Sequence, residues 1–312
     1  MREQAAAPIG LPAAQAQGEL EELVGEARAQ WQLILGRFLH HRLAMASLLV
    51  LVVLFGMAFF GQSIAPYRYD HLDPTALSEP PSLKHYFGTD SIGHDTFAQV
   101  LRGARRSIIV ALLVSLLSTA IGTTIGALAG YFRGWLDAAL MRLTDLFLTI
   151  PALALLLVVA AKFRGQNGNW IAIALLIAAF FWMGLARVVR GVFLSLRERE
   201  FVEAARAAGA SDARIIVRHL VPNSLGPIIV GATLVVAQGI LTETALSFLG
   251  FGIAPPDTSL GRLVAEGVTA AQTRPWLFYM PGLFLMMIAL AVNFIGDGLR
   301  DAFDPKQTRV RA

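Results

Sequence analysis

The sequence predicts an all-α, polytopic membrane protein with six transmembrane helices. Of its 312 residues, 55% are hydrophobic and only 15% are charged, whereas about a quarter are charged in an average soluble domain. Several apolar runs also reach or approach the roughly 18 residues that a spanning helix needs. The longest of them, residues 107–131, contains no charged residue.

The six predicted spans follow one another along most of the chain. They cover residues 44–65, 107–130, 146–161, 170–186, 225–246 and 277–295. The first run is too long for the apolar region of a signal peptide, so we expect it to be retained as an anchor. Residues 44–297 then form a transmembrane domain between an N-terminal tail (1–43) and a C-terminal tail (298–312).

The N-terminal tail becomes basic and apolar just before the first span. This pattern predicts an interfacial helix that lies against the lipid headgroups. Its apolar residues are Trp31, Leu33, Ile34, Leu35 and Phe38.

The distribution of basic residues predicts that both termini are cytoplasmic. With the N-terminus inside, 17 of the 26 Lys and Arg residues fall in cytoplasmic segments, as the positive-inside rule requires. The first outer loop, 66–106, runs against this rule because Arg102, Arg105 and Arg106 lie together in it.

Composition also excludes several classes of site. The chain has no cysteine, which excludes disulfides and thiolate metal sites. The net charge of +4 reflects the cytoplasmic bias of basic residues, and no basic stripe alternates with aromatic residues, so we expect no nucleic-acid partner.

Two features inside the spans indicate close packing or a pathway. Gly122, Gly126 and Gly130 recur every fourth residue and form a smooth seam for another helix, either of this chain or of a partner subunit. Glu243 lies near the outer end of the fifth span, where an acid either makes structural hydrogen bonds or faces a possible translocation pathway.

The segment 197–223 is polar although it lies between two apolar spans. In "EFVEAARAAGASDARIIVRHLVPN" (200–223), strong helix formers precede Gly209, where we expect one helix to end. Ser211 or Asp212 can cap a second helix, which we expect to stop before Pro222. At about ten residues, or about 15 Å, this helix is too short to span a bilayer. The segment therefore either binds another protein, with Glu203 as an acidic contact, or forms an interfacial helix that lies on lipid.

The spacing in this segment resembles that of a known family. Glu203, Ala204, Ala205, Gly209 and Pro222 resemble the "EAA" loop of the membrane subunits of ATP-binding-cassette (ABC) importers. His219 replaces the usual isoleucine and Val221 the usual leucine; the histidine is similar to the peptide-permease branch.

Further motifs resemble dipeptide, oligopeptide and nickel permeases. In the outer loop, Gly88, Thr89, Asp90, Gly93 and Asp95 match a GTDxxGRD pattern, with His94 in place of its arginine, and "GAR" follows at 103–105 and ends in Arg105. The stretches 243–261 and 293–305, and the set Met141, Arg142, Asp145 and Pro151, are also similar to this family. The resemblance covers about residues 40–307.

The resemblance implies the type I ABC importer permease fold in the bacterial inner membrane. Such a subunit pairs with a second homologous permease, two cytoplasmic ABC ATPases and an extracytoplasmic solute-binding protein. The EAA loop then forms the coupling helix that contacts an ATPase, a role implied for Glu203, Ala204, Ala205, Gly209, Ser211, Asp212, His219 and Pro222. The cargo implied is a di- or oligopeptide, with nickel, glutathione and opines as alternatives.

The resemblance also implies a non-catalytic subunit that binds no cofactor, while partner ATPases use ATP and Mg. The sequence is consistent with this expectation. ATP binding of this kind requires a phosphate-binding GxxxxGK[ST] loop, in which a lysine directly follows a glycine. The three lysines, Lys84, Lys162 and Lys306, do not follow a glycine. The energy is therefore expected to come from another chain.

Two other classes of protein fit the sequence less well. A channel or secondary transporter would place ionisable groups inside the membrane. Within the predicted spans, Glu243 is the one such group that we identify. A metal-dependent enzyme would need the outer-loop cluster of Asp90, His94 and Asp95, although either acid can instead cap the following helix.

Overall fold

The computed structural model describes residues 32–163 and 170–304. In these residues the chain is helical, and β-pairing is confined to two isolated bridges in the loop after the first span. The helices are α1 (32–40), α2 (Arg42–Phe60), α3 (Thr96–Phe132), α4 (Gly134–Thr149), α5 (Ala152–Ala160), α6 (Trp170–Leu196), α7 (Glu200–Ala207), α8 (Asp212–Ile215), α9 (Val221–Asn223), α10 (Leu225–Phe248), α11 (Leu260–Gly267) and α12 (Trp276–Phe303).

Five described helices, namely α2, α3, α6, α10 and α12, are long and apolar enough to cross a membrane. A sixth crossing exists only if α4 and α5 count as one span, and this pair is bent by 78°. The predicted third span, 146–161, therefore falls on this bent pair and includes its break, so it is not one continuous helix. Proline disfavours helical geometry in the residue before it and cannot donate a backbone hydrogen bond; accordingly Ile150 is extended and Pro151 lies at the break.

The helix that contains the second predicted span begins at Thr96, eleven residues before the predicted start of the span at 107. The Asp95 carboxylate caps this end because its Oδ1 accepts a hydrogen bond from the amide of Ala98 at 2.8 Å. The loop after the first span therefore ends at 95, not at 106. The helices α6 and α12 also continue past their predicted ends, to Leu196 and Phe303.

The glycine seam packs within the chain, against α6. A Cβ on Gly122 would lie 2.7 Å from the carbonyl oxygen of Trp182, and one on Gly130 would lie 2.6 Å from Cβ of Phe193. Close backbone approach of this kind requires glycine. Of the two alternatives that the sequence left open, the structure selects the helix of the same chain.

Ion pairs join α4 to α6. Asp137 accepts hydrogen bonds from Nε and a terminal nitrogen of Arg190 at 2.5 and 2.7 Å, and Asp145 pairs with Arg187. The Asp145 carboxylate thus serves the neighbouring helix and not Arg142, its neighbour along α4.

Both ends of the described chain lie on the same face of the helix bundle. His41 Nε2 is 3.5 Å from Asp301 Oδ2, and Arg37 donates to the carbonyl oxygen of Asp304 at 3.4 Å. An even number of crossings follows, which agrees with six spans when α4 and α5 form one. We call this end, with residues 197–223, the segment face, and the opposite end, with residues 61–95 and 249–275, the loop face.

The tail residues Trp31 and 305–312 lie outside the described ranges. Within α1, Leu33, Leu35 and Leu39 are exposed, as a helix lying on lipid requires. The interfacial position of this helix stays a prediction.

Candidate functional site

The EAA segment, residues 197–223, links α6 directly to α10. Its first helix, α7, ends as predicted at Gly209, which has φ +79°. The amides of Gly209 and Ala210 donate to the carbonyls of Arg206 and Ala205, each at 3.0 Å. This pair of hydrogen bonds is a Schellman motif, and its left-handed residue favours glycine.

The second half of the EAA segment differs from the prediction. Ser211 caps α8 by accepting from the amide of Arg214 at 3.4 Å. The helix then continues through a π turn (Ile216–Leu220) into α9, which contains Pro222. The prediction that the helix stops before Pro222 is wrong because Pro222 occupies the start of α9, where its missing N–H is tolerated.

One side of the EAA segment is anchored in the bundle. Val202, Ile215 and Leu220 are fully buried. They belong to one apolar cluster with residues of three spans, including Tyr131 of α3, Phe193 of α6 and Ile228 of α10. The segment is therefore fixed to the helices that precede and follow it and to α3.

Tyr131 adds polar contacts to this anchor. Its hydroxyl donates to Asp212 Oδ1 at 2.5 Å, and Arg206 is hydrogen-bonded to the same side chain. Arg197 donates to the carbonyl oxygen of Tyr131 and lies over its ring at 5.8 Å. Asp212, proposed from the sequence as a cap, thus holds the segment to α3 instead.

The other side of the EAA segment is free. Glu203, Ala204, Ala207 and Ala208 are exposed, whereas Ala205 turns partly inward and His219 is half-buried. In the described chain no cation pairs with the Glu203 carboxylate. Exposed apolar side chains also belong to this segment, since Val217 is 68% exposed and Phe201 38%. Apolar groups exposed beside small alanines form a surface that a protein partner can cover.

On the loop face, the GTDxxG residues shape the loop. Gly88 and Gly93 have φ +71° and +90°, and a Cβ on Gly88 would lie 2.6 Å from the carbonyl oxygen of Glu79. Thr89 Oγ1 donates to the carbonyl of Ala76 at 2.6 Å and accepts from the amide of Glu79 at 2.8 Å. These residues serve the fold of the loop, for which the glycines are required sterically.

The cluster of Asp90, His94 and Asp95 does not converge on one point. Asp90 binds its own loop, through the amides of Ile92 and His94, and the ring of His94 at 2.8 Å. Asp95 turns away and contacts Nδ1 of the buried His85 at 2.8 Å. Within the described residues no three His, Asp or Glu side chains are grouped as metal ligands.

A surface ion pair also stabilises the loop. Hydrogen bonds from Thr75 and Lys84 hold the pKa of Asp73 well below its usual range, while Asp73 raises the pKa of Lys84. The Lys84 ammonium lies 3.0 Å from Asp73 Oδ2.

The three arginines at the start of α3 have different surroundings. Arg102 Nε lies 2.9 Å from Asp257 Oδ1, and Arg106 pairs with the same carboxylate. Asp257 therefore offsets part of the positive charge that conflicted with the positive-inside rule. Arg105 instead lies over the ring of Phe59 at 5.4 Å, without a carboxylate partner among the described residues.

Glu243 is fully buried among serines. Its carboxylate accepts from Ser247 at 2.6 Å and from Ser107 at 3.3 Å, and the Ser247 hydroxyl in turn lies 3.4 Å from that of Ser259. Since these serines belong to α10, α3 and the start of α11, the network around Glu243 joins three elements. Its suggested place in the translocation pathway stays a prediction, and the contacts seen are structural.

The loop face also carries an open cavity of about 510 Å³. Its lining includes Tyr69, Asp90, His94, Asp257 and Arg274. Sequence reasoning missed Tyr131, His85 and Asp257, because each acts through a partner that is ten or more positions away along the chain.

Comparison with known proteins supports the resemblance. The family described as binding-protein-dependent transport system inner membrane component matches residues 122–309. The N-terminal TM domain of oligopeptide transport permease C matches residues 29–81.

Relatives with similar sequences are named as peptide permeases. The oligopeptide transport system permease protein OppC of Mycobacterium tuberculosis (H37Rv) is 47% identical over 89% of this chain and 96% of its own length. OppC of Escherichia coli K12 is 43% identical over 92% of this chain and 94% of its own. A putative peptide permease of Brucella suis is 43% identical, with coverages of 86% and 89%.

A solved structure has the same fold. It is that of the MetNI methionine ABC transporter in an inward-facing conformation, with a TM-score of 0.54 and 20% identity. The match covers 66% of this chain and 97% of the other chain. The chain therefore belongs to the family of binding-protein-dependent transport system inner membrane components, as a multi-pass inner-membrane protein with the fold of an ABC importer permease.

Proposed function

We propose that this chain is a translocation subunit of an ATP-driven peptide importer and that its EAA segment couples it to an ATPase. The observation that carries the proposal is the two-sided character of the segment. One side is locked to α3, α6 and α10, whereas the side with Glu203 is free. A rigid element of this kind passes a displacement by a partner to the spans.

The polar contacts between Tyr131 and the EAA segment would transmit such a displacement to the membrane-spanning helices. An ATPase that closes on ATP moves the free side, and the Tyr131–Asp212 hydrogen bond draws α3 with it. Because the glycine seam packs α3 closely on α6, both helices move together. The spans would thus rock as a body between inward- and outward-facing states, while partner chains supply ATP hydrolysis.

The proposal also includes an orientation in the membrane and further partners. The segment face is cytoplasmic, since ATP is consumed there, and the loop face with its cavity meets an extracytoplasmic solute-binding protein. A second, homologous permease completes the pathway. Gln238, exposed near the middle of α10, supports this because a polar side chain at membrane depth normally faces protein or a water-filled path and not lipid.

The names of the relatives support oligopeptides as the cargo, with nickel as the alternative within the resemblance. Cells that lack this chain, with and without the restored gene, would be tested for uptake of a labelled tripeptide and of nickel. Loss and rescue of peptide uptake alone is expected. Loss of nickel uptake with normal peptide uptake would overturn the cargo but leave the coupling role intact.

Coupling between ATP hydrolysis and transport is tested by substituting single acidic residues of this chain in the assembled complex. Glu203→Ala removes a carboxylate from the free side, whereas the control Glu198→Ala removes one that already pairs with Arg133 at 2.9 Å. If Glu203 makes one charge-assisted hydrogen bond to the ATPase, its loss costs about 1.4 kcal/mol. The fraction of complexes in which the EAA segment is bound to the ATPase then falls about tenfold. We expect Glu203→Ala to lower peptide uptake per ATP hydrolysed by about this factor. The control should stay within about twofold, since an exposed ion pair contributes little.

The proposal would be wrong if Glu203→Ala transported and hydrolysed ATP like the wild type. A fall in both variants together with loss of assembled complex would point to folding and not to coupling. Blue-native electrophoresis of the same preparations separates these cases.

A further inference from the structure

One of the three arginines near the start of α3 has no carboxylate partner in the described chain. Arg102 and Arg106 share the Asp257 carboxylate. The guanidinium of Arg105 lies over the face of Phe59, 5.4 Å from the ring centroid, and pairs with no carboxylate in the part of the chain that the structure describes. Phe59 belongs to the last turn of α2, so the guanidinium lies at the loop-face end of the apolar bundle. A charge in that position requires a counter-charge or water.

An apolar groove starts beside this arginine and follows α2 into the membrane. Its walls are formed by α2 alone, it measures about 580 Å³, and it reaches from Phe59 and Phe60 to Leu51. Nine residues of helix correspond to about 13 Å, close to the roughly 15 Å of one leaflet's hydrocarbon layer.

A second cavity continues the groove between helices. It measures about 130 Å³ and shares Leu51 and Phe55 with the first. On the α3 side its walls are Ile108 and Leu112, which follow Arg105 by one and two helical turns. Arg105 thus lies above the mouth of a continuous apolar surface.

We propose that this site binds an anionic phospholipid of the leaflet on the loop face. The Arg105 guanidinium pairs with the lipid phosphate, a geometry for which arginine is well suited, and one acyl chain occupies the α2 groove. An anionic headgroup is favoured over a zwitterionic one, because the ammonium group of a zwitterionic lipid would need a carboxylate partner. Asp257, the acid of this cluster, already pairs with two arginines. The site is independent of the cargo and of the coupling role.

Lipid retention by the assembled complex tests the proposal. The complex is purified from membranes, placed in nanodiscs of phosphatidylglycerol and phosphatidylcholine, and the retained lipids are counted by native mass spectrometry. Arg105→Gln removes the charge, and Arg68→Gln is the matched control because this exposed loop arginine pairs with Asp70. We expect Arg105→Gln to weaken phosphatidylglycerol binding about fivefold, the effect of one basic residue near a bilayer, and the control to leave it unchanged.

A second variant tests the groove without the charge. Gly56 lines the groove, and a Cβ there meets no atom within 4 Å, so Gly56→Leu places a bulky side chain in the groove from a position that has room for the Cβ. Fewer retained lipids of both kinds are expected. The proposal is overturned if Arg105→Gln retains phosphatidylglycerol as the wild type does. It is likewise overturned if a photo-reactive residue at position 56 crosslinks to the second permease and not to lipid.

Discussion

The close contact between α3 and α6 makes Gly126→Ala a sharp test of the fold. A methyl group there would lie 2.8 Å from Cβ of Val189 and also too close to the carbonyl oxygen of Ala186. Carbon atoms normally approach to about 3.5–4.0 Å, so the helices would have to separate by roughly 1 Å. Overpacking of this kind costs about 1–3 kcal/mol, and the better helix propensity of alanine offsets up to about 1 kcal/mol.

A net destabilisation of about 1–2 kcal/mol is expected, which lowers the midpoint of thermal unfolding by a few degrees. Gly184→Ala on α6 is the control, because a Cβ there meets nothing within 4 Å. It should be neutral or slightly stabilising. Unfolding of both variants, followed by differential scanning fluorimetry of the assembled complex, gives the comparison. Equal midpoints for Gly126→Ala and wild type would refute the packing of the seam against α6.

Three further predictions concern the anchors of the EAA segment, α10 and the loop. Tyr131→Phe removes the hydrogen bond to Asp212 and about 1–2 kcal/mol; a spin label at the EAA segment should become more mobile, and an unchanged spectrum would contradict the anchor. Glu243→Gln can keep its serine contacts, whereas Glu243→Leu leaves buried hydroxyls unsatisfied at about 1–3 kcal/mol, so only the second should reduce the amount of folded protein; equal yields would contradict this. Because the pKa of Asp73 is lowered, its ion pair with Lys84 stabilises the loop above the ordinary Asp pKa of about 4 and is lost as pH falls through the lower value. The protection factors of the loop amides, which correct for the slower intrinsic exchange in acid, should therefore be lower in Asp73→Asn than in the wild type at pH 7 and should fall less on acidification; equal changes of protection with pH in both proteins would argue against it.

The sequence predicted the fold class and the centres of most spans, since apolar runs specify them directly. Prediction of the helix boundaries was inaccurate where polar residues belong to a helix. The start of α3 carries three arginines, and nothing local shows that Asp257, over 150 positions away, pairs with two of them. The bend at Pro151 was predictable as a proline effect, but its size of 78° depends on how α4 packs on α6.

The EAA segment was predictable where its signals are local. Gly209 ends α7 in the left-handed conformation that the sequence predicts. The role of Asp212 depends on its contact with Tyr131 of another helix, and no local signal in the sequence indicates the π turn before Pro222. For the same reason the glycine seam could be predicted as a packing surface, but its partner helix could not.

The most direct test of the account is a crosslink from the free side of the EAA segment to an ATPase. The chain has no cysteine, so Ala208→Cys introduces a single thiol at an exposed position, and Leu83→Cys, 95% exposed on the loop face, serves as control. With a short thiol-to-amine crosslinker, the account predicts a product between position 208 and an ATPase subunit whose yield changes when ATP is added, and none from position 83. Equal products from both positions, or none from position 208 in an assembled and transporting complex, would contradict coupling through the EAA segment.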